Sequence, residues 1–328
     1  MAGCRNRCVY CDQAQITGIR TAPTPKEVRR RLEELDDAVE ICFFGGSFTC
    51  LHASLVESYL EATAFAPSGS SLRLSTHPLC LAAGTIRLLK EATRGTCPVS
   101  CVEVGISSLD NAVLQTCARG YTAEDALRSV GRLLQEGLPT GVQIMIGLPG
   151  QDIESTFRDL RLLAQLKGPC SLALRIYPCL VLKGTPLESL WKSGKYGPLE
   201  TEQAARWTGR LLVEALDLGF EVLRVGLAET DSLASSVSAG PHHPAFGELA
   251  WGECAALLLV RNSERGPWVE HWKKRSFFFG HGKRGIRRLA ELSGQKDSEA
   301  LARLSFWPGG TGFTRKAGSR VDNPENEL

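Results

Sequence analysis

What this chain lacks narrows it first. No run approaches the ~18 uninterrupted apolar residues of a membrane span. The opening stretch MAGCRNRC has no apolar centre of the kind a secretory signal needs. Both absences point to a cytoplasmic protein with no membrane partner. Net charge is also nearly absent: 38 Lys and Arg against 36 Asp and Glu leave +2. No global field therefore draws nucleic acid, and such a partner must be met by a local patch. Nor is the composition that of a disordered chain, since 43% of the 328 residues are hydrophobic and 23% charged. One large domain, or one with a small extension, fits these bounds. The 12 Cys are diluted through an enzyme-sized chain without a secretion signal, so reduced thiols and metal ligation are expected rather than a disulfide framework.

Apolar, β-branched runs recur at 39–44, 72–76, 102–106, 142–146 and 172–177, each reading as a buried parallel strand. Stretches of helical period lie between them, at 27–35, 51–65, 79–92, 122–135 and 153–166. Thr24 and Thr122 stand as N-caps, with Pro25 at a first helical position. Strand, helix, strand at this spacing means βαβ units. The expected fold class is α/β, a partial (β/α) TIM-like barrel whose functional face lies at the C-terminal ends of its strands. A longer helix over 201–218 leads to a further strand at 221–225, and the Gly240-Pro241-His242-His243-Pro244 stretch marks a soft boundary. Beyond it, 255–260 and 276–279 read as two strands and 284–292 as a helix. The expected organisation is a barrel over 1–240, a small C-terminal α+β extension over 241–307, and a disordered tail over 308–328.

The sharpest local signal is Cys4, Cys8 and Cys11 in C-R-N-R-C-V-Y-C. Three thiolates on one short loop can hold three corners of an iron-sulfur cubane and leave the fourth iron open to substrate. A zinc site completed by a distant ligand, or unligated thiols, are the alternatives. After the second expected strand of the barrel, the run at 39–44, comes Phe43-Phe44-Gly45-Gly46-Ser47-Phe48-Thr49, where glycines permit a ligand close to the backbone.

Taken together, C-x3-C-x-aromatic-C and this glycine segment resemble the radical S-adenosylmethionine (SAM) superfamily. Further matching segments are Val102–Asp110, Arg119-Gly120-Tyr121-Thr122, Gly147-Leu148-Pro149-Gly150 and Arg175–Thr185. The last, followed by Ser193-Gly194-Lys195-Tyr196, is similar to the catalytic subunit of the elongator complex and to its shorter bacterial relatives without an acetyltransferase domain. The resemblance implies a 4Fe-4S cluster on Cys4, Cys8 and Cys11. It also implies reductive cleavage of SAM to a 5′-deoxyadenosyl radical and hydrogen abstraction from an unidentified substrate. It assigns Tyr10 to the adenine and Gly45, Gly46 and Ser47 to the methionyl amine, with Glu103, Ser107, Arg119 and Gln143 projecting toward SAM. Arg119 is the natural partner of the methionyl carboxylate. Glu103 could instead pair with a basic neighbour, Arg119 could serve a helix terminus, and Gln143 could be a satisfied interior polar group. Ser107 departs from the Gln usual in relatives.

Tyr177, Lys183 and His243 are the candidates on the substrate side, Tyr177 because it ends the last of the five barrel strands. Implied partners are an electron donor such as a flavodoxin or ferredoxin and, through the elongator resemblance, transfer RNA. Seven Lys and Arg without an acid between Trp272 and Arg288, around Phe277-Phe278-Phe279, would suit RNA. More commonly such a run is a solvated face. The chain departs from the resemblance in two places: only three residues precede Cys4, so the barrel's first strand is expected to be missing, and no acetyltransferase pattern follows residue 250. Two other functions stay open. One is a non-catalytic RNA-binding scaffold with the same fold. The weaker one is oxygen-independent coproporphyrinogen oxidase, against which Asp12 stands where that enzyme has another Cys.

Overall fold

Runs that alternate apolar and polar side chains along a strand build a sheet with two different faces, and that is what this chain folds into. The computed structural model describes residues 3–4 and 7–307. The chain divides into two compact units, 1–258 and 259–328. The strands of the first are β1 Glu40–Phe43, β2 Ser71–Thr76, β3 Val99–Ser107, β4 Thr140–Ile146, β5 Ala173–Pro178, β6 Val181–Leu182, β7 Glu221–Val225 and β8 Val237–Ala239. Six of them form one sheet in the order β1-β2-β3-β4-β5-β7, every pair parallel. Helices Ala53–Thr63, Ala83–Ala92, Ala123–Gln135, Ile153–Lys167 and Thr201–Asp217 make the crossovers. Sequential parallel strands with helical returns curl into a partial barrel whose strand C-termini share one rim. The strands β6 and β8 pair antiparallel, apart from the sheet.

Leu72, Leu74, Val102, Val104, Ile106, Val142, Ile144, Ile146, Leu174 and Ile176 are at most 1% exposed. Burying each contributes about 2 kcal/mol. Their strand neighbours of opposite parity, Arg73, Ser75, Glu103, Gly105, Gln143, Met145, Arg175 and Tyr177, occupy the other face. Helix starts follow the expected chemistry. Thr24 and Glu27 form a capping box, as do Thr122 and Asp125.

The sheet has one strand more than the five apolar runs suggested, because β7 joins beside β5. Tyr177 therefore ends the fifth strand rather than the last. The edge strand β1 has half of its residues exposed. The turn at 240–244, read as a boundary, lies inside the first unit.

In the C-terminal region two expected strands are helical. Residues 255–260 belong to the helix Phe246–Asn262, and 276–279 open the helix Arg275–Ser293. A six-residue apolar run does not distinguish strand from helix, and Ala255-Ala256-Leu257-Leu258-Leu259 are strong helix formers. The backbone leaves helical angles at Gly280–Lys283, after which the expected helix over 284–292 follows. The second unit does contain a small sheet, the parallel pair β9 Trp268–His271 and β10 Leu304–Trp307. The 308–328 tail lies outside the described residues. Among the described residues no helix is long and apolar enough to cross a membrane.

One buried acid fixes the exit of β3. Asp159, 3% exposed on the helix Ile153–Lys167, accepts from Ser108 Oγ and from the Leu109 N–H, both at 3.0 Å. Burial pushes its carboxyl up from 3.8 to about 6 against the pull of those two donors. Between those values the folded chain holds a proton that the unfolded chain has released. This contribution to stability is thus complete below pH 3.8 and lost as the pH rises through about 6. Asp159→Asn should remove that slope. In urea titrations, the stability of the parent relative to the variant should fall by about 3 kcal/mol between pH ~4 and ~7. A difference that does not change with pH would refute the assignment.

Candidate functional site

The cysteine loop is held at the rim by backbone contacts and by Val9 and Tyr10, which pack against the buried cluster around Val113, Cys117 and Leu187. The Val9 N–H donates to the Cys117 carbonyl at 3.2 Å, the Leu187 N–H to the Val9 carbonyl at 2.9 Å, and the Cys11 N–H to the Cys8 carbonyl at 3.1 Å. Asp12 then caps the short helix Gln13–Thr17, accepting from the Gln15 N–H at 3.1 Å. Gly3 lies so close to the Ser47 carbonyl that a Cβ there would collide with it. Cys4 Sγ and Ser47 Oγ are 3.3 Å apart. Loop and glycine segment thus form one wall of a cavity of about 360 Å³ at the strand C-termini.

Cys4, Cys8 and Cys11 all line this cavity, with Gly45, Gly46 and Ser47 beside them. Gly45 has φ 89°, a conformation that a side chain would strain. Arg119 projects from the loop after the helix Asn111–Thr116: its Nη1 donates to Cys8 Sγ at 2.9 Å and its Nε to the Tyr121 hydroxyl at 3.0 Å. Its Nη2 donates to the Gly105 carbonyl. Burial, and then the neighbouring Cys8 sulfur, push the Cys11 thiol up to about 11. Ligation would displace that proton.

The three thiols that line the cavity suit an iron-sulfur cubane, which takes soft sulfur ligands. Among the described residues no three His, Cys, Asp or Glu side chains converge on one metal position. In a cubane each thiolate takes a different iron, so the sulfurs line a common space without meeting at a point.

Of the residues expected to bind SAM, Tyr10, Gly45, Gly46, Ser47, Ser107, Arg119 and Gln143 line the cavity. The Tyr10 hydroxyl and Ser107 Oγ share a hydrogen bond at 2.8 Å. Ser107 sits at φ 57° where the β3–β4 pairing skips a residue. Glu103 is not in the lining. It is 1% exposed, within 3.4 Å of Arg73 Nη1 and 2.8 Å of Arg175 Nε, and accepts from Gln143 Nε2 at 2.8 Å. It pairs with the basic neighbours Arg73 and Arg175 inside the barrel.

On the substrate side, Tyr177 lines the cavity, but Lys183 and His243 do not. Lys183 lies next to β6, and its Nζ donates to the Ser235 carbonyl at 2.6 Å. The His243 ring accepts from the Ala245 N–H at 3.1 Å, which fixes a turn. Sequence reasoning missed Ser75, Arg175 and Arg224, all of which line the cavity. Strand alternation carried the signal for the first two: Ser75 shares a face with Arg73, and Arg175 with Tyr177.

The expectation of reduced thiols fails at one pair. Cys50 and Cys80 form a disulfide, with Cα atoms 5.1 Å apart, joining the turns that follow β1 and β2. Neighbouring parallel strands bring their exit turns together, which a separation of 30 residues in sequence conceals. The other ten Cys are not disulfide-bonded.

The family description "Radical SAM superfamily" matches residues 1–163, and "Radical SAM C-terminal domain" matches 172–254. The chain belongs to the radical SAM superfamily, whose cofactors are a 4Fe-4S cluster and SAM. It is similar to the tRNA uridine(34) acetyltransferase of Methanocaldococcus jannaschii, 29% identical over 150 residues, which is 46% of this chain and 27% of that protein. It is also similar to the Mus musculus protein named Radical S-adenosyl methionine domain-containing protein 1, mitochondrial. That match is 27% identical over 330 residues, covering 88% of this chain and 68% of the relative. Among solved structures, Methanocaldococcus infernus Elp3 with an N-terminal deletion superposes with a TM-score of 0.57 and 24% identity, over 74% of this chain and 62% of that one. This likeness shows the fold. The chain spans about a quarter of the length of the acetyltransferase it matches.

Removing Glu103 should test the barrel interior. Glu103→Gln leaves Arg73 and Arg175, 11% and 13% exposed, without their shared charge. The expected loss is on the order of 3 kcal/mol in urea denaturation. An unchanged midpoint would show that this cluster does not hold the strands.

Proposed function

We propose that this chain binds a 4Fe-4S cluster through Cys4, Cys8 and Cys11 and SAM in the adjoining cavity, and uses them to abstract hydrogen from a substrate that enters beside Tyr177. The observation that supports this reading is the meeting of three cysteines, the Gly45–Ser47 backbone, Tyr10 and Arg119 in one cavity. When bound, the cofactors supply one-electron cleavage of SAM and the resulting 5′-deoxyadenosyl radical.

The chain's own residues supply placement. Arg119 brings a guanidinium beside the place proposed for the methionyl carboxylate; its Nε and Nη2 are held by Tyr121 and Gly105, so the carboxylate would replace the Cys8 contact at Nη1. Gly45 and Gly46 let the backbone approach the amine without a side chain in the way. Tyr10, held by Ser107 at 2.8 Å, presents an aromatic face for the adenine. Tyr177 is mostly walled off from solvent, and burial, which outweighs the pull of Arg175, holds its phenol above the ordinary range and therefore protonated. The reductant is an external electron donor of the flavodoxin or ferredoxin type. The elongator-like relatives make transfer RNA the first substrate to try.

A second reading, an RNA-binding scaffold without turnover, draws on the second unit. There Trp272 and Trp307 are 52% and 42% exposed, and Lys273, Lys274 and Arg275 are exposed as well. One experiment separates the two. The chain is reconstituted anaerobically, reduced with SAM present, and assayed for 5′-deoxyadenosine, with Cys8→Ala as control. Product that falls at least ~100-fold in the variant is expected, since the variant removes one of the cluster's three ligands. A properly formed cluster that yields no product, together with salt-sensitive RNA binding that survives Cys8→Ala, would favour the scaffold.

A further inference from the structure

The cavity has a charged wall that none of the cofactor-placing residues uses. On neighbouring strands β5 and β7, Arg175 stands directly opposite Arg224, and both line the cavity with Tyr177. Tyr177 is two residues beyond Arg175 and so shares its face. Regular pairing would not have produced this arrangement. Leu174 pairs with Val222, the next pair is Arg175 with Arg224, and Leu223 is left out. Such a bulge re-aims the side chain that follows it, and bulges concentrate beside active sites. Here it brings a second guanidinium alongside the first.

Like charges opposed on adjacent strands repel by up to about 1 kcal/mol; Arg224 is exposed and partly relieved by water, and an anion held between the two guanidinium groups would remove the repulsion. The nearby acids do not supply enough. Glu103 lies 2.8 Å from Arg175 Nε but is shared with Arg73 at 3.4 Å. The buried Arg175 Nε is not aligned to hydrogen-bond to it. Arg73 also takes Glu40, at 2.9 Å. Arg224 Nε donates to the Gly226 carbonyl at 3.1 Å, and among the described residues no carboxylate lies within ion-pair distance of this guanidinium. Three arginines thus face two carboxylates, and the surplus charge is at the cavity wall.

We infer that Arg175 and Arg224, with the Tyr177 hydroxyl, form a subsite for an oxyanion of the substrate, a carboxylate or a phosphate. Guanidinium forks bind either group through paired N–H donors. The inference rests on the proposed SAM site, in which the cofactor's own carboxylate goes to Arg119 on a different wall.

The test is calorimetric titration of the cluster-reconstituted full chain with inorganic phosphate and, separately, with acetate, in the presence and absence of saturating SAM. Saturable binding of at least one anion is expected, unaffected by SAM, and the anion that binds identifies the source. Arg224→Gln should weaken it at least about ten-fold. Arg128→Gln, which alters a surface arginine with a 65% exposed side chain, should not. Melting curves check that both variants are folded. Equal binding by the Arg224→Gln variant, no saturable binding of either anion, or competition with SAM would each overturn the subsite. Failure of the radical SAM reading itself shows separately, as an absence of Cys8-dependent 5′-deoxyadenosine.

Discussion

The Glu103 carboxylate, 1% exposed on β3, lies within ion-pair distance of Arg73 on β2 and Arg175 on β5 and accepts a hydrogen bond from Gln143 on β4. Four consecutive strands are thereby cross-linked through one buried charge. A carboxylate removed from water is tolerated only when its lone pairs are satisfied, so these strands must keep the register that brings the four side chains together. That register also sets which residues arrive at the rim two positions further on. Gly105 follows Glu103, Tyr177 follows Arg175, and Ser75 follows Arg73. All three line the cavity. The polar interior is thus the floor on which the site is built, while the apolar side chains of opposite parity pack outward against the helices.

Much of this was legible in the sequence because it is local. Apolar runs bounded by Thr24 and Thr122 caps gave five strands and their crossovers. The cysteine spacing and the Gly45-Gly46-Ser47 segment pointed to residues that line one cavity. What stayed hidden depends on distant pairing. Nothing near Glu103 in sequence announces Arg73 and Arg175 as its partners. Nothing near Cys50 announces Cys80. Lys183 and His243 lie within or near segments of strong resemblance, but the backbone turns Lys183 toward Ser235 and His243 onto its own turn. In the C-terminal region the apolar run 255–260 carried no period to tell strand from helix, and length decided it: the helix has 17 residues.

Register shifts are the least legible feature and the most consequential. Pairing slips between Leu72 and Arg73, between Gly105 and Ser107, and between Leu174 and Arg175. A strand with one extra residue reads in sequence like any other strand. In the sheet, the slip at Gly105 to Ser107 accompanies the left-handed φ of Ser107, which places its hydroxyl against Tyr10. The slip beside Arg175 brings Arg224 across from it. Two of the cavity's walls are therefore shaped by defects in an otherwise regular sheet.

The charge at the two ends of the cavity follows from these placements. At the cysteine end Arg119 is committed to Cys8, Gly105 and Tyr121, so its guanidinium is held by the protein before any ligand arrives. At the Arg175–Arg224 end the acids are already divided among more cations than they can neutralise. A cavity of about 360 Å³ lies near the lower end of ligand pockets. If SAM takes the cysteine end as proposed, the Arg175–Arg224 end is the part of the cavity left to face a substrate, and its surplus positive charge would favour an anionic group there. The buried cluster around Glu103 would supply this preference as well as rigidity, because the carboxylate that ties the strands together is shared between Arg73 and Arg175.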